Sequence, residues 1–435
     1  MSDLTLQPSG GLTGEIALPG DKSISHRSVI FAALADGTTS IRGFLTGEDT
    51  QNTARAVQML GITVEGIGSS SLLVHGKGLD GLSEPSGVLD LGNSGTGMRL
   101  LAGLLAGQKF FSVLTGDEYL AKRPMARIVQ PLRKMGAVID GRANGTLAPL
   151  AIRAAHTKIS SIEYNSPVAS AQVKSAILLC GLYADGETSV TEPSKSRDHT
   201  ERLLRSFGVE VREQGLRVTL KGRQRLCSMG TLDIPSDISS AAFFMVAASI
   251  VPGSDLTIKN VGVNPTRTGV IDILLAMGAD ITLEQRREHA GEPVADIRVR
   301  YRKLRATEIA GDVVPRAIDE IPVLAVAAAC AAGTTIIRDA AELRVKESDR
   351  IATMAGELKK MGAAVAERPD GMEITGRDML NGASCESHGD HRVAMSLAVA
   401  GLAARGETVV RNTAWIETSF PGFESLLQNT AHPKK

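Results

Sequence analysis

Several short segments carry residues suited to holding anions and moving protons. Leu18-Pro-Gly-Asp-Lys-Ser-Ile-Ser-His-Arg27 places Lys22, Ser23 and Arg27 at the start of a helical run. Free backbone N–H groups and the positive end of the helix dipole gather there, so two cations and a hydroxyl suit a phosphate or carboxylate. The bland alternative is a plain helix cap with solvated charges. Leu91-Gly-Asn-Ser-Gly-Thr-Gly-Met-Arg99 is glycine-rich and also opens a helix. Gly95 and Gly97 let an anion approach the backbone closely. The segment lacks the GKS/T ending of a nucleotide P-loop. Arg123-Pro124 follows, and arginine suits two-pronged phosphate contact.

Ser166 to Lys174 leads into another helix, with Ser170 and Gln172 offering hydrogen bonds at its start. Ser196-Arg-Asp-His-Thr-Glu201 opens a further one. Both also read as ordinary caps. In the C-terminal half, Asp319-Glu-Ile-Pro, Arg344-Val-Lys-Glu-Ser-Asp-Arg350 and Asp390-His-Arg392 stand ahead of helical runs. Cations repeated at helix starts, each expected just ahead of a buried helix, predict a cleft for a polyanion between two globes whose helix N-termini face each other. Asp319 in that field is a candidate base.

The elements that must position these residues repeat along the chain. A helix-like run, Gly and alternating apolar positions recur at Gly61, Gly136, Gly208, Gly278 and Gly362. A second phrase, Gly followed by a β-rich run, recurs after Gly37, Gly107, Gly186, Gly253, Gly333 and Gly406. The spacing is roughly 70 residues, longer than a usual solenoid unit. Each Gly after a helix is a natural left-handed C′ residue. Runs such as SSAAFFMVAASIV and IPVLAVAAACAAG have little polar face and predict buried helices. The expectation is an α/β chain of two globular domains, each of three repeated βαβαββ-type units, with buried helices and outward sheets.

Bulk composition narrows the chemistry. The 435 residues are 43% hydrophobic, enough for two or three domains. Lys plus Arg total 48 and Asp plus Glu total 48, so no global field favours nucleic acid or an anionic membrane. Aromatics at 3% argue against base or sugar stacking. Cys180, Cys227, Cys330 and Cys385 form no CxxC pair, so neither a zinc site nor a disulfide framework is expected. The opening segment lacks a secretion signal's pattern, and the most apolar runs are too short to span a bilayer. The expectation is a cytoplasmic protein.

The segments PGDKSISHR and RVKESDRI, with LGNSGTGMR, SAQVKSA, RDHTERLL and DHRVAM, resemble those of the 5-enolpyruvylshikimate-3-phosphate synthases, the 3-phosphoshikimate 1-carboxyvinyltransferases. The resemblance runs essentially end to end, to the closing TSFPGFESLL, and its variant forms look like the branch that includes glyphosate-tolerant enzymes. It implies the enolpyruvyl transferase fold, with residues 1–19 and 236–435 in one globe and 20–235 in the other, closing on substrate. It implies transfer of the carboxyvinyl group of phosphoenolpyruvate to the 5-hydroxyl of shikimate 3-phosphate, by a monomer without metal or cofactor, in aromatic amino acid biosynthesis.

By that resemblance Lys22, Ser23, Arg27, Ser170, Ala171, Gln172, Arg197, Asp319 and Lys346 contact shikimate 3-phosphate. Lys22, Gly95, Arg123, Gln172, Arg350 and Arg392 contact phosphoenolpyruvate. Asp319 is the base, Glu347 the proton donor, and Lys22 assists. Two departures stand out: Ala171 replaces a serine of the phosphate loop, and Glu417-Thr-Ser-Phe-Pro421 lacks a lysine that relatives often carry before Phe-Pro. Two rivals remain. The related UDP-N-acetylglucosamine enolpyruvyl transferase uses a loop cysteine, and Gly107 to Arg127 contains none. A non-catalytic repeat protein binding a phosphorylated metabolite would have no need of Asp319 and Glu347.

Overall fold

In the computed structural model, which describes residues 3–154 and 158–433, the repeated phrases become repeated elements. Among the described residues, twelve helices have eight residues or more. They are α1 (Lys22–Leu34), α2 (Glu48–Met59), α3 (Gly95–Ala106), α4 (Ala126–Lys134), α5 (Ala171–Gly181), α6 (His199–Ser206), α7 (Ile238–Ile250), α8 (Gly269–Ala276), α9 (Ile321–Ala329), α10 (Arg350–Lys360), α11 (His391–Leu402) and α12 (Phe423–Thr430).

They alternate between two kinds. The odd-numbered helices are apolar nearly all round, and every residue of α7 and α9 is buried. The even-numbered helices leave one side in water. The glycines after α2, α4, α6, α8 and α10 have φ between 83° and 95°, as left-handed C′ residues should. One expectation needs correction here. The Arg344 to Arg350 motif does not precede a helix buried all round; α10 is amphipathic, with Met354 and Leu358 inward and Lys359 and Lys360 outward. Its place in the repeat therefore differs from that of Asp319 and Asp390.

Five of the sheets share one order. Leu89–Asp90 pairs parallel with Ser112–Thr115, which pairs antiparallel with Leu147–Arg153, which pairs antiparallel with Val138–Gly141. The same order links the strands at 163–165, 187–191, 217–221 and 211–214. It recurs at 308–309, 334–337, 371–375 and 364–368. In two repeats the first strand comes from far away in the chain. Thr231–Asp233 runs parallel to Ala35–Arg42, and Ser9–Ala17 runs parallel to Asp255–Gly262. Leu147–Arg153 alternates inward Ala148, Leu150 and Ile152 with outward neighbours, so one sheet face covers the helices.

The chain divides into two compact units: residues 1–19, 235–287 and 293–435, and residues 20–234 with 288–292. Each has its own apolar core. Relative to the boundaries expected from sequence, Pro235 changes side and residues 288–292 group with the N-terminal unit. There Arg202 Nη1 donates to the Gly291 carbonyl at 2.6 Å, and His199 Nδ1 meets Glu292 Oε1 at 2.7 Å. No local sequence signal marks those five residues, because the grouping depends on partners about 90 positions away.

Candidate active site

In the N-terminal unit, three buried helices start beside one another's polar residues. Asp21 caps α1 by accepting from Ile24 N at 2.9 Å, Ser94 caps α3 from Gly97 N at 3.0 Å, and Ser170 caps α5 from Val173 N at 3.5 Å. Each cap satisfies one of the amide donors that a helix start leaves unpaired.

Lys22, the first residue of α1, forms an ion pair with Asp49 of α2. One turn on, Arg27 is buried. Its Nε donates to Thr200 Oγ1 at 2.7 Å, Nη2 to Ser175 Oγ at 2.9 Å, and Nη1 to the Ser23 carbonyl at 2.9 Å. Burial pulls its pKa down to about 10 although Glu201 and Asp21 push it up, so it is still a cation at neutral pH. Arg197, half-buried ahead of the Asp198 cap of α6, adds a second positive charge near Arg27. His26, beside Arg27 in the chain, is fully buried, with Nδ1 at 2.8 Å from Thr53 Oγ1. Burial, then Lys22 and Arg27, hold it well below the usual histidine range.

The glycine-rich start of α3 is crowded by two guanidinium groups. A Cβ on Gly95 would stand 2.9 Å from Arg99 Nη1 and 3.1 Å from Arg123 Nη1. Arg123 Nη2 donates to Asn93 Oδ1 at 2.6 Å, and Asn93 donates to Asp117 Oδ2 at 2.7 Å. Arg99 is a site residue to which sequence reasoning gave no role. Its Nη1 donates to Gln172 Oε1 at 2.6 Å, while Gln172 Nε2 donates to Thr96 Oγ1 at 2.9 Å. The signal was available: Arg99 lies one helical turn after Gly95 and so faces the same loop. Ala171 opens α5 without a hydroxyl, and its carbonyl accepts from Ser175 Oγ at 2.6 Å. The structure thus brings Lys22, Ser23, Arg27, Gly95, Arg123, Ser170, Ala171, Gln172 and Arg197 to the helix starts of one unit.

In the C-terminal unit the second cluster is an alternation of charges. Asp319 sits between a short turn at 313–317 and α9. Its Oδ1 lies 3.7 Å from Lys346 Nζ and 3.5 Å from Arg350 Nη1, and its carbonyl accepts from Arg392 Nη1 at 3.2 Å. Arg350 is 1% exposed and serves three carboxylates. Its Nε donates to Asp390 Oδ2 at 2.8 Å and Nη2 to Glu347 Oε2 at 2.6 Å, while Nη1 faces Asp319. Burial pushes the Asp390 carboxyl up, but Arg350 more than offsets this and holds it below the usual range. Lys346 is lowered by burial, against the opposing pull of Asp319. Asp390 also caps α11 by accepting from Arg392 N at 2.9 Å. The arrangement holds two carboxylates, Asp319 and Glu347, on one guanidinium, beside an ammonium whose proton is loosened. That is equipment for moving protons while neutralising an anion. The segment before Phe420 forms a tight turn at 413–418 without a lysine, and Phe420 packs on Phe244 and Phe423.

Three repeats per unit, buried helices and charged helix starts are the features that the sequence resemblance implied for the enolpyruvyl transferase fold. A family model described as EPSP synthase (3-phosphoshikimate 1-carboxyvinyltransferase) matches residues 6–427. The chain is 58% identical over 428 residues to the 3-phosphoshikimate 1-carboxyvinyltransferase of Citrifermentans bemidjiense, covering 98% of this chain and 99% of that one. It is 58% identical over 433 residues to the Geotalea uraniireducens protein of the same name, covering all of both. Among solved structures, an EPSP synthase from Acinetobacter baumannii superposes with a TM-score of 0.90 at 48% identity, covering 100% of this chain and 99% of that one. The chain belongs to the EPSP synthase family.

Proposed function

We propose that the chain transfers the carboxyvinyl group of phosphoenolpyruvate to the 5-hydroxyl of shikimate 3-phosphate, releasing inorganic phosphate. The observation that carries this reading is the pairing of Asp319 and Glu347 on Arg350, with Lys346 3.7 Å from Asp319. Glu347 donates a proton to the methylene carbon of phosphoenolpyruvate, which makes C2 electrophilic. Asp319 takes the proton of the 5-hydroxyl as its oxygen bonds to C2. The tetrahedral intermediate then loses phosphate from C2 and a proton from the new methyl group, restoring the double bond.

The N-terminal cluster supplies the phosphate contacts. Lys22, Ser23, Arg27, Ser170, the amide of Ala171, Gln172 and Arg197 hold shikimate 3-phosphate, with Lys346 on a ring hydroxyl. Lys22, Gly95, Arg123 and Gln172 hold the phosphate of phosphoenolpyruvate, while Arg350 and Arg392 neutralise its carboxylate. Fixed cations and amide dipoles stabilise charge where it develops, without reorganisation during the reaction. The reading includes a cytoplasmic monomer with no nucleic-acid or membrane partner. The test is phosphate release from phosphoenolpyruvate with and without shikimate 3-phosphate. Release that depends on shikimate 3-phosphate supports the reading; release indifferent to it, or none, refutes it.

A further inference from the structure

A fully buried charge cluster lies behind the start of α5, and the mechanism above does not use it. Lys174 is 1% exposed on a helix whose neighbours Val173, Ala176, Ile177 and Leu178 are apolar. Its ammonium lies 2.8 Å from Glu192 Oε2 and 2.7 Å from Glu201 Oε1, and both carboxylates are as buried as the lysine. Stability alone is a poor reason for such a cluster. Desolvating three charges is expensive, and a well-packed apolar residue of similar volume is commonly as good or better.

The geometry points to a positional purpose. Glu192 Oε1 accepts from the backbone N–H of Ser170 at 3.0 Å, and Oε2 accepts from that of Ser196 at 3.4 Å. One carboxylate thus ties together the residue that caps α5 and the residue immediately before Arg197. Lys174, one turn after Ser170, pins that carboxylate in place. Glu201 balances the lysine from α6, and its field also acts on Arg27, which bonds the adjacent Thr200 and Ser175. Two cations, Lys174 and Arg27, and two carboxylates, Glu192 and Glu201, bring the buried group to neutrality.

We propose that Lys174, Glu192 and Glu201 form a positioning network that fixes Ser170 and Arg197 relative to each other, and so sets the affinity for shikimate 3-phosphate without acting on phosphoenolpyruvate. The identity of that ligand rests on the function proposed above. None of the three touches substrate; each acts through Ser170, Arg197 or Arg27.

The test compares wild type, Lys174→Met and Glu192→Gln. Lys174→Met leaves two buried carboxylates without their cation, so Glu192 swings away from the Ser170 and Ser196 amides. Glu192→Gln keeps an acceptor and the Lys174–Glu201 pair but weakens the double clamp. In each variant the KM for shikimate 3-phosphate and its calorimetric Kd should rise about tenfold. The KM for phosphoenolpyruvate should stay within about twofold and kcat within about threefold. Should Lys174→Met not fold, Glu192→Gln decides. Variants that melt earlier yet bind shikimate 3-phosphate as tightly as wild type overturn the proposal, as do variants in which both KM values rise together. A wild type that binds shikimate 3-phosphate but releases no phosphate refutes the catalytic reading and leaves the calorimetric comparison to judge the network. A wild type that does not bind it overturns the network too.

Discussion

Replacing Asp319 by Asn changes one charge at the centre of the C-terminal cluster and almost nothing else. Asparagine has the same shape, and the Asp319 carbonyl that accepts from Arg392 at 3.2 Å is main chain, so the start of α9 stays anchored. Two effects on rate add. On the proposed mechanism the base for the 5-hydroxyl proton is gone, which by itself costs about 10²- to 10⁴-fold. Lys346 also loses the carboxylate at 3.7 Å that opposes its burial, so its pKa falls further. Both act on the chemical step more than on the phosphate contacts, which the proposed mechanism assigns to the N-terminal cluster. The expected outcome is a fall in kcat of about two to four orders of magnitude, with either KM changed by less than about tenfold. Continuous phosphate-release kinetics, with substrate binding by titration calorimetry, separates the two quantities. A variant that keeps kcat within about threefold of wild type would remove Asp319 from the role of base.

Three further outcomes follow from the same geometry. Arg350→Met strands the fully buried Asp390, so urea unfolding should show a loss of about 3–5 kcal/mol; a loss below about 1 kcal/mol would mean that this ion cluster does not hold the unit together. His26 is kept neutral in the native state, whereas the unfolded chain takes up a proton near pH 6.5. Its contribution is therefore complete above that pH and declines below it. Wild type should lose more stability than His26→Asn between pH 7.5 and 5.5, on the order of 1 kcal/mol, and equal losses would contradict the buried neutral imidazole. Gly95→Ala brings a methyl against the tips of Arg99 and Arg123, flexible groups that yield by shifting. In the family that the sequence resembles, glyphosate is a phosphonate, longer than phosphoenolpyruvate, that competes with it; on the proposed assignment of Gly95 its inhibition constant should rise by a larger factor than the KM for phosphoenolpyruvate, and equal factors would take Gly95 out of the phosphate end of that site.

Local chemistry was legible in the sequence wherever a single segment decides it. The glycines at 61, 136, 208, 278 and 362 announce helix ends because a left-handed residue is needed there, and all five adopt it. The all-apolar runs of α7 and α9 announce burial because they have no face to give to water. Ser94, Ser170 and Asp390 announce helix starts, and all three cap them. Partnerships across the chain were not legible. Arg350 finds Asp390 40 positions later, Lys22 finds Asp49 27 positions later, and Arg99 finds Gln172 73 positions later. Such pairs are set by how the repeats pack, and neither spacing nor periodicity records that. The same limit explains why the Arg350 motif was expected before a fully buried helix. Its charges resemble those at other helix starts, while its place in the repeat is fixed by which sheet α10 covers.

In the proposed reaction a carbon fragment, and not merely phosphate, leaves phosphoenolpyruvate for a sugar-like hydroxyl. Incubating the protein with [2-¹³C]phosphoenolpyruvate and shikimate 3-phosphate, and following the labelled carbon by NMR, reads this directly. The expected result is an enol ether carbon on the 5-oxygen, appearing in step with inorganic phosphate. Labelled pyruvate and phosphate without the ether, or unchanged phosphoenolpyruvate, would contradict it.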